Sequence, residues 1–141
     1  MRTPTLTALV LVLSALSTVA CQNCNPVGAA SGVEVRLAQI VANHGAVKVH
    51  ACYGRVCVDA DEAGNATSGG SPAVLIPLPQ SPGPAQTLSV KAIDSTTGQV
   101  LVDANAPLDI PVRKTGPGGC SVDSRFIAVT VTGDGKLQQV R

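Results

Sequence analysis

The chain has no tryptophan, one tyrosine and one phenylalanine among its 141 residues. A core built from it must therefore use Val, Ala, Leu and Ile, which bury less area per residue than aromatic rings. Covalent staples would help such a core. Charge of one sign is also missing. Ten basic residues stand against nine acidic ones, and charged residues make up only 13% of the chain. Nucleic-acid binding calls for a basic patch or stripe, and none is present. Catalytic signatures are absent too. "GGSPA" lacks the closing glycine of a hydrolase elbow. "GDGK" lacks the phosphate-loop spacing and the hydroxyl residue after Lys136. Two histidines and scattered carboxylates form no visible acid–base pair, so no catalytic residue is nominated and the expectation is a non-enzyme without cofactor.

What is present begins at the N-terminus. Met1-Arg2 precedes "LTALVLVLSAL", Leu6 to Leu16. That run falls short of the roughly 20 residues a spanning helix needs. A basic start, a short apolar stretch and small residues at its exit describe an export signal, residues 1–20. It ends "STVAC", with Thr18 and Ala20 before Cys21. This ending resembles the lipobox of bacterial lipoproteins, with Thr18 where leucine is usual. The resemblance implies cleavage before Cys21 and a diacylglyceryl group on its sulfur. It also implies an extracytoplasmic protein held at the cell membrane or outer membrane by that lipid; a protein partner in the envelope is a separate expectation of a binding or structural module. The alternative is plain secretory cleavage after Ala20, giving a soluble secreted protein with Cys21 as an ordinary thiol. Past residue 20, with Arg2 removed, basic and acidic residues balance, and 121 residues are left, the size of one domain. Residues 21–31 read as a linker and 32–141 as the domain.

Five cysteines, Cys21, Cys24, Cys52, Cys57 and Cys120, are an odd number for an exported chain. Lipidation of Cys21 would leave four, which can pair completely. The stretch "VKVHACYGRVCVDADE" reads as a hairpin turning at Gly54-Arg55, with Gly suited to a type II′ turn. Across it Cys52 meets Cys57, His50 meets Asp59, and Lys48 meets Asp61. The opposite face carries Val49, Ala51, Tyr53, Val56, Val58 and Ala60. A one-residue slip would destroy every match. A Cys52–Cys57 disulfide follows, on the outer face, worth roughly 2 kcal/mol for so short a loop. Cys24 is left for Cys120, closing most of the domain for about 4 to 5 kcal/mol on the same entropic account.

The rest reads as strands and turns. "GVEVRLAQI" alternates as a half-buried strand, and "ANHG" turns the chain. Asp61 to Pro72 is a polar, Gly-rich loop. "AVLIPLP" is an edge strand or extended segment, because Pro77 and Pro79 cannot donate to a ladder. "TLSVKAIDSTTGQVLVDA" is a second hairpin with a three-residue loop, Thr96-Thr97-Gly98, that sets Lys91 opposite Asp103 and Val90 opposite Ala104. "PLDIPVRK", "RFIAVTVT" and Lys136 to Val140 supply further strands. No segment beyond the signal shows a helical period. Seven or eight short strands predict an all-β, antiparallel β-sandwich. The strand spacing and the "DSTTGQVLVD" hairpin resemble immunoglobulin-like and fibronectin-like modules, without the inter-sheet Trp or cysteine spacing of antibody domains; a transthyretin-like or other sandwich topology is the alternative.

Two metal readings were weighed. Asp59, Asp61 and Gly64 match the first, third and sixth positions of an EF-hand loop, but Ala63 and Gly70 break the pattern. A looser Ca²⁺ site would use Asp59, Asp61, Glu62 and Asn65; a solvated loop is the plainer reading. His50, Cys52, Cys57 and Asp59 have ligand types suited to Zn²⁺ or copper if the cysteines are reduced. Oxidation to a disulfide is the stronger expectation outside the cytoplasm. No methionine follows residue 20, which weakens a copper-carrier role further. No metal site is therefore assigned. Val74 to Pro84 and the Asp61–Ser71 loop are the candidate contact surfaces.

Overall fold

Two β-sheets face one another across an aliphatic core in the computed structural model, which describes residues 31–61, 66–68, 71–79, 83–115 and 122–140. In chain order the elements are β1 (Gly32–Arg36), α1 (Ala38–His44), β2 (Val47–Tyr53), β3 (Val56–Asp61), β4 (Ala66–Ser68) and β5 (Ser71–Pro77). They continue with β6 (Gln86–Asp94), β7 (Val100–Leu108), β8 (Val112–Thr115), β9 (Val122–Val131) and β10 (Leu137–Gln139). The smaller sheet has the order β3-β2-β6-β7. The larger runs β10-β9-β1-β5-β4, with β8 also paired to β9. The all-β sandwich expected from strand spacing is present, with ten strands among the described residues rather than seven or eight.

The smaller sheet joins two local hairpins, β2–β3 and β6–β7, through the longer-range β2–β6 pairing. β2 and β3 meet in the expected register: Lys48 opposite Asp61, His50 opposite Asp59, Cys52 opposite Cys57 and Tyr53 opposite Val56. Gly54 takes φ 59°, a left-handed value that a side chain would resist, at the first central position of the turn. β6 and β7 pair Lys91 with Asp103 and Val90 with Ala104, also as expected. Their loop is one residue longer than the sequence suggested. The Asp94 N–H bonds the Gln99 carbonyl, so Ser95 to Gly98 form the connection, and the register shifts between Ala92 and Ile93. Asp94 Oδ1 accepts from the N–H groups of Thr96 and Thr97 at 2.8 and 2.9 Å, an Asx turn that selects this longer loop. Those two donors hold the Asp94 carboxyl below its usual range.

The larger sheet corrects four sequence expectations. β1 stops at Arg36, and a seven-residue helix replaces both the end of the expected strand and the "ANHG" turn. Leu37, Ile40 and Val41 lie at i, i+3 and i+4, and all three pack on the core. Gly45, at φ 76°, ends the helix by donating its N–H to the Val41 carbonyl. Second, part of the expected Asp61–Pro72 loop is strand: β4 pairs with β5, Ser68 opposite Ser71 and Ala66 opposite Ala73. Third, β5 is not an edge over its whole length. β1 lies along Ala73 to Pro77 on one side, and β4 covers Ser71 to Ala73 on the other. Pro77, at the end beyond the reach of β4, needs no donor on that side. Fourth, the sandwich is not purely antiparallel, because β1 and β9 are parallel, Val33 beside Ile127 and Val35 beside Val129.

That parallel pair has a packing reason. It completes rows that read Ile76–Val33–Ile127 and Val74–Val35–Val129, all pointing inward. Val33, Val35, Val74 and Ile76 are fully buried. Facing them from the smaller sheet are Val49, Ala51, Tyr53, Leu88, Val90 and Val102. Tyr53, the chain's one tyrosine, donates its hydroxyl to the Leu108 carbonyl at 3.0 Å and accepts the Gln86 N–H at 3.2 Å. It thereby pins the paired ends of β6 and β7 to β2. Among the described residues, no helix is long and apolar enough to cross a membrane.

Candidate functional site on the β2–β3 hairpin

The outward face of the smaller sheet is a grid of polar rows set by the ladder. One row crosses β3, β2, β6 and β7 as Asp59, His50, Lys91 and Asp103. The next reads Cys57, Cys52, Ser89 and Asn105. Period-2 alternation sends these side chains out because their neighbours Val49, Ala51 and Tyr53 are drawn into the core. Cys52 and Cys57 form a disulfide, with Cα atoms 4.0 Å apart, as befits the closely spaced kind of antiparallel pair.

A short relay ends at that disulfide. Asp59 Oδ1 is 2.6 Å from His50 Nδ1, and His50 Nε2 is 3.2 Å from Cys52 Sγ. With a carboxylate as its partner, Nδ1 carries a proton. The other ring nitrogen, Nε2, faces sulfur. Both partners are open to water, with side-chain exposures of 52% for His50 and 83% for Asp59. Cys57 is exposed and Cys52 half-buried. Next along the sheet, Ser89 Oγ donates to Asn105 Oδ1 at 2.6 Å.

The donor atoms of His50, Cys52 and Cys57 lie within 4.8 Å of one another. In the disulfide form, however, neither sulfur is the thiolate a soft metal ion would bind. The structure thus brings together four of the sequence-selected residues, His50, Cys52, Cys57 and Asp59. Asp61 is exposed, opposite Lys48 and one outward position further along β3. Glu62, Asn65, Cys21, Cys24 and Cys120 lie outside the described residues, as do the expected signal and linker up to residue 30.

Sequence reasoning did not single out a second feature. A cavity of about 280 Å³ opens between the sheets, lined by Tyr53, Val56, Leu78, Pro84, Gln86 and Arg125 among others. Arg125 is almost fully buried; its guanidinium donates to the Gly83 carbonyl at 3.3 Å, and its own N–H bonds Ser31 Oγ at 3.0 Å. The available signal was an arginine in phase with Ile127 and Val129, the inward face of the apolar run "FIAVTV".

The class defined by these observations is a two-sheet β-sandwich with an exposed hairpin disulfide beside a His–Asp pair. No protein-family model, no curated protein and no solved structure matches the chain.

Proposed function

We propose that the chain is a lipid-anchored, extracytoplasmic protein of the cell envelope whose single β-sandwich, immunoglobulin-like in type, serves binding or structural support. Its membrane contact is a lipid on Cys21, and its other partner is a protein of the envelope. The closed Cys52–Cys57 bond on an exposed face carries this reading. A reducing cytosol would leave two thiols there, whereas an exported chain keeps the bond. The "STVAC" ending of the apolar N-terminal run supports the anchor, since two or more acyl chains hold a protein stably where one does not. The non-reduced mass and peptide map of the protein from its native membrane fraction test the proposal. The expected result is a lipid adduct on Cys21 with Cys52–Cys57 and Cys24–Cys120 linked. An unmodified Cys21 in a soluble fraction would replace the anchored reading with a secreted one.

A second reading is a metal- or redox-handling envelope protein using the same hairpin. The 3.2 Å approach of His50 Nε2 to Cys52 Sγ favours it. Metal content after purification with and without reductant separates its two forms. Stoichiometric metal with free thiols selects metal handling. A closed bond without metal leaves redox exchange.

A further inference from the structure

We propose that Cys52–Cys57 is an exchangeable disulfide, in which an external thiolate attacks Cys57 Sγ and Cys52 Sγ departs as a thiolate stabilised by His50, itself held by Asp59. The inference deepens the redox reading of the hairpin, on which it rests, and is independent of the lipid anchor.

Three observations give the reaction its direction. β3 is an edge strand and β2 an interior one. Attack on a disulfide requires the thiolate to approach in line with the bond, opposite the leaving sulfur. A thiolate aimed at Cys57 comes from beyond the edge, where no strand of this sheet lies among the described residues. A thiolate aimed at Cys52 would come from the β6 side, where Ser89 stands in the next rung. Accessibility agrees, because Cys57 is exposed and Cys52 half-buried. The proton donor is on the departing side: His50 Nε2 faces Cys52 Sγ, and Asp59 Oδ1 faces Nδ1.

The step balances as follows. The external thiolate forms an S–S bond with Cys57 while the Cys57–Cys52 bond breaks, and its electron pair goes to Cys52. Protonated His50 donates a hydrogen bond to the new thiolate. A second external thiolate then displaces Cys57 from the mixed disulfide, giving the oxidised external disulfide and a reduced hairpin. A thiolate next to a protonated histidine is the better leaving group. Other charges facing His50 are Lys91 on β6, itself faced by Asp103 on β7. Lys48 lies on β2, Asp61 on β3 and Arg55 in the turn. Asp59, in direct contact with Nδ1, is the group that orients the ring.

The test uses the full chain and its His50→Gln and Asp59→Asn variants, with glutathione as the probe. Loss of the disulfide is followed by alkylation and mass spectrometry at constant glutathione thiolate concentration. Circular dichroism confirms that the variants fold, as expected for exposed side chains. Near pH 6, His50→Gln should slow reduction about tenfold and Asp59→Asn severalfold. The wild-type advantage should shrink as pH rises, because only an imidazolium donates from both nitrogens. Acid-trapped mixed disulfide should carry glutathione on Cys57. Equal rates in wild type and His50→Gln, or glutathione on Cys52, would overturn the proposal while leaving a reducible hairpin. A bond that glutathione does not reduce at all would overturn the redox reading with it.

Discussion

Both sheets combine local hairpins with distant seams, β2–β6 in the smaller and β1–β5 and β1–β9 in the larger, but the seams and the outer faces differ in kind. In the smaller sheet, β2 reaches β3 and β6 reaches β7 through short turns, and the outward rows are charged or polar. In the larger sheet, β1 runs beside β9, so Ser31 bonds the N–H of Arg125 across 94 residues. Its outward face is leaner in charge: Leu75 and Ala128 flank Glu34, and Phe126 flanks Gly32. Glu34 is 7% exposed and accepts the Arg36 Nε–H at 2.5 Å. Two tasks are thereby separated. The larger sheet closes the fold through β1, set between β5 and β9, and the smaller one presents chemistry on polar rows carried by two hairpins.

Breaking the larger sheet at its centre should have the largest effect. Ile76→Ala, at a fully buried site in the Ile76–Val33–Ile127 row, should lower stability by about 3 kcal/mol in urea unfolding. Gly32→Val attacks the same seam from the backbone. A Cβ there would sit 2.8 Å from the Ile76 carbonyl oxygen, so β1 must move, at a cost of about 2 kcal/mol. A loss below about 0.5 kcal/mol for either would mean that the β1–β5 seam is not central to the fold.

In the smaller sheet the expected effects are milder. Tyr53→Phe removes a hydroxyl that serves both Leu108 and Gln86, and should lower stability by about 1–2 kcal/mol. Hydrogen exchange should rise first at the Gln86–Leu108 end of β6–β7, and uniform exchange would show that the tyrosine does not pin that end. His50→Gln, by contrast, should change stability by less than about 0.5 kcal/mol, since exposed ion pairs contribute little. A larger loss would assign His50 to the fold rather than to the sulfur beside it.

The smallest effect concerns the turns. In the β9–β10 turn, Asp134 accepts from Lys136 and Thr132, which holds its carboxyl at about 2 against an ordinary 3.8. A lowered carboxyl stabilises the fold above its unfolded value, and that contribution disappears as pH falls from about 3.8 through about 2. Lys136 is raised by the same partner, so its share is present below 10.5 and disappears as pH rises through its folded value. Asp134→Asn should therefore flatten the acid limb of the melting-temperature profile slightly. An unchanged limb would mean that the pair does not survive in water.

How much of this was legible follows the same division. The β2–β3 register could be read because three independent matches, two charge pairs and a cysteine pair, agree on one alignment across a two-residue turn. The β6–β7 register could be read as far as Ala92. The loop length was missed because the Asp94 turn draws Ser95 into the loop, and the strand compensates by leaving Leu101 without a partner in the register. Helix α1 was missed because Val33, Val35 and Leu37 continue a strand's alternation into a helix of two turns. Its signals were Leu37, Ile40 and Val41 at helical spacing before Gly45. β4 was missed because Ala66-Thr67-Ser68 is short and polar, although two glycines between paired segments are a hairpin signal. For the relay, residue types and facing were legible, but the approach of Nε2 to sulfur was not.

The sequence alone determined the aliphatic core, the two local hairpins, the Cys52–Cys57 pairing and the polar outward face of the β2–β3 hairpin. These depend on alternation and on contacts closed by short turns, which chain connectivity imposes. Tertiary structure decided the β2–β6 pairing that joins the hairpins into rows, the parallel β1–β9 seam, the placing of β5 between β1 and β4, and the end of β1 in a helix. Those choices depend on which buried rows complete one another between distant segments. Many aliphatic strands would serve equally well by pattern, and only simultaneous packing of both sheets selects among them.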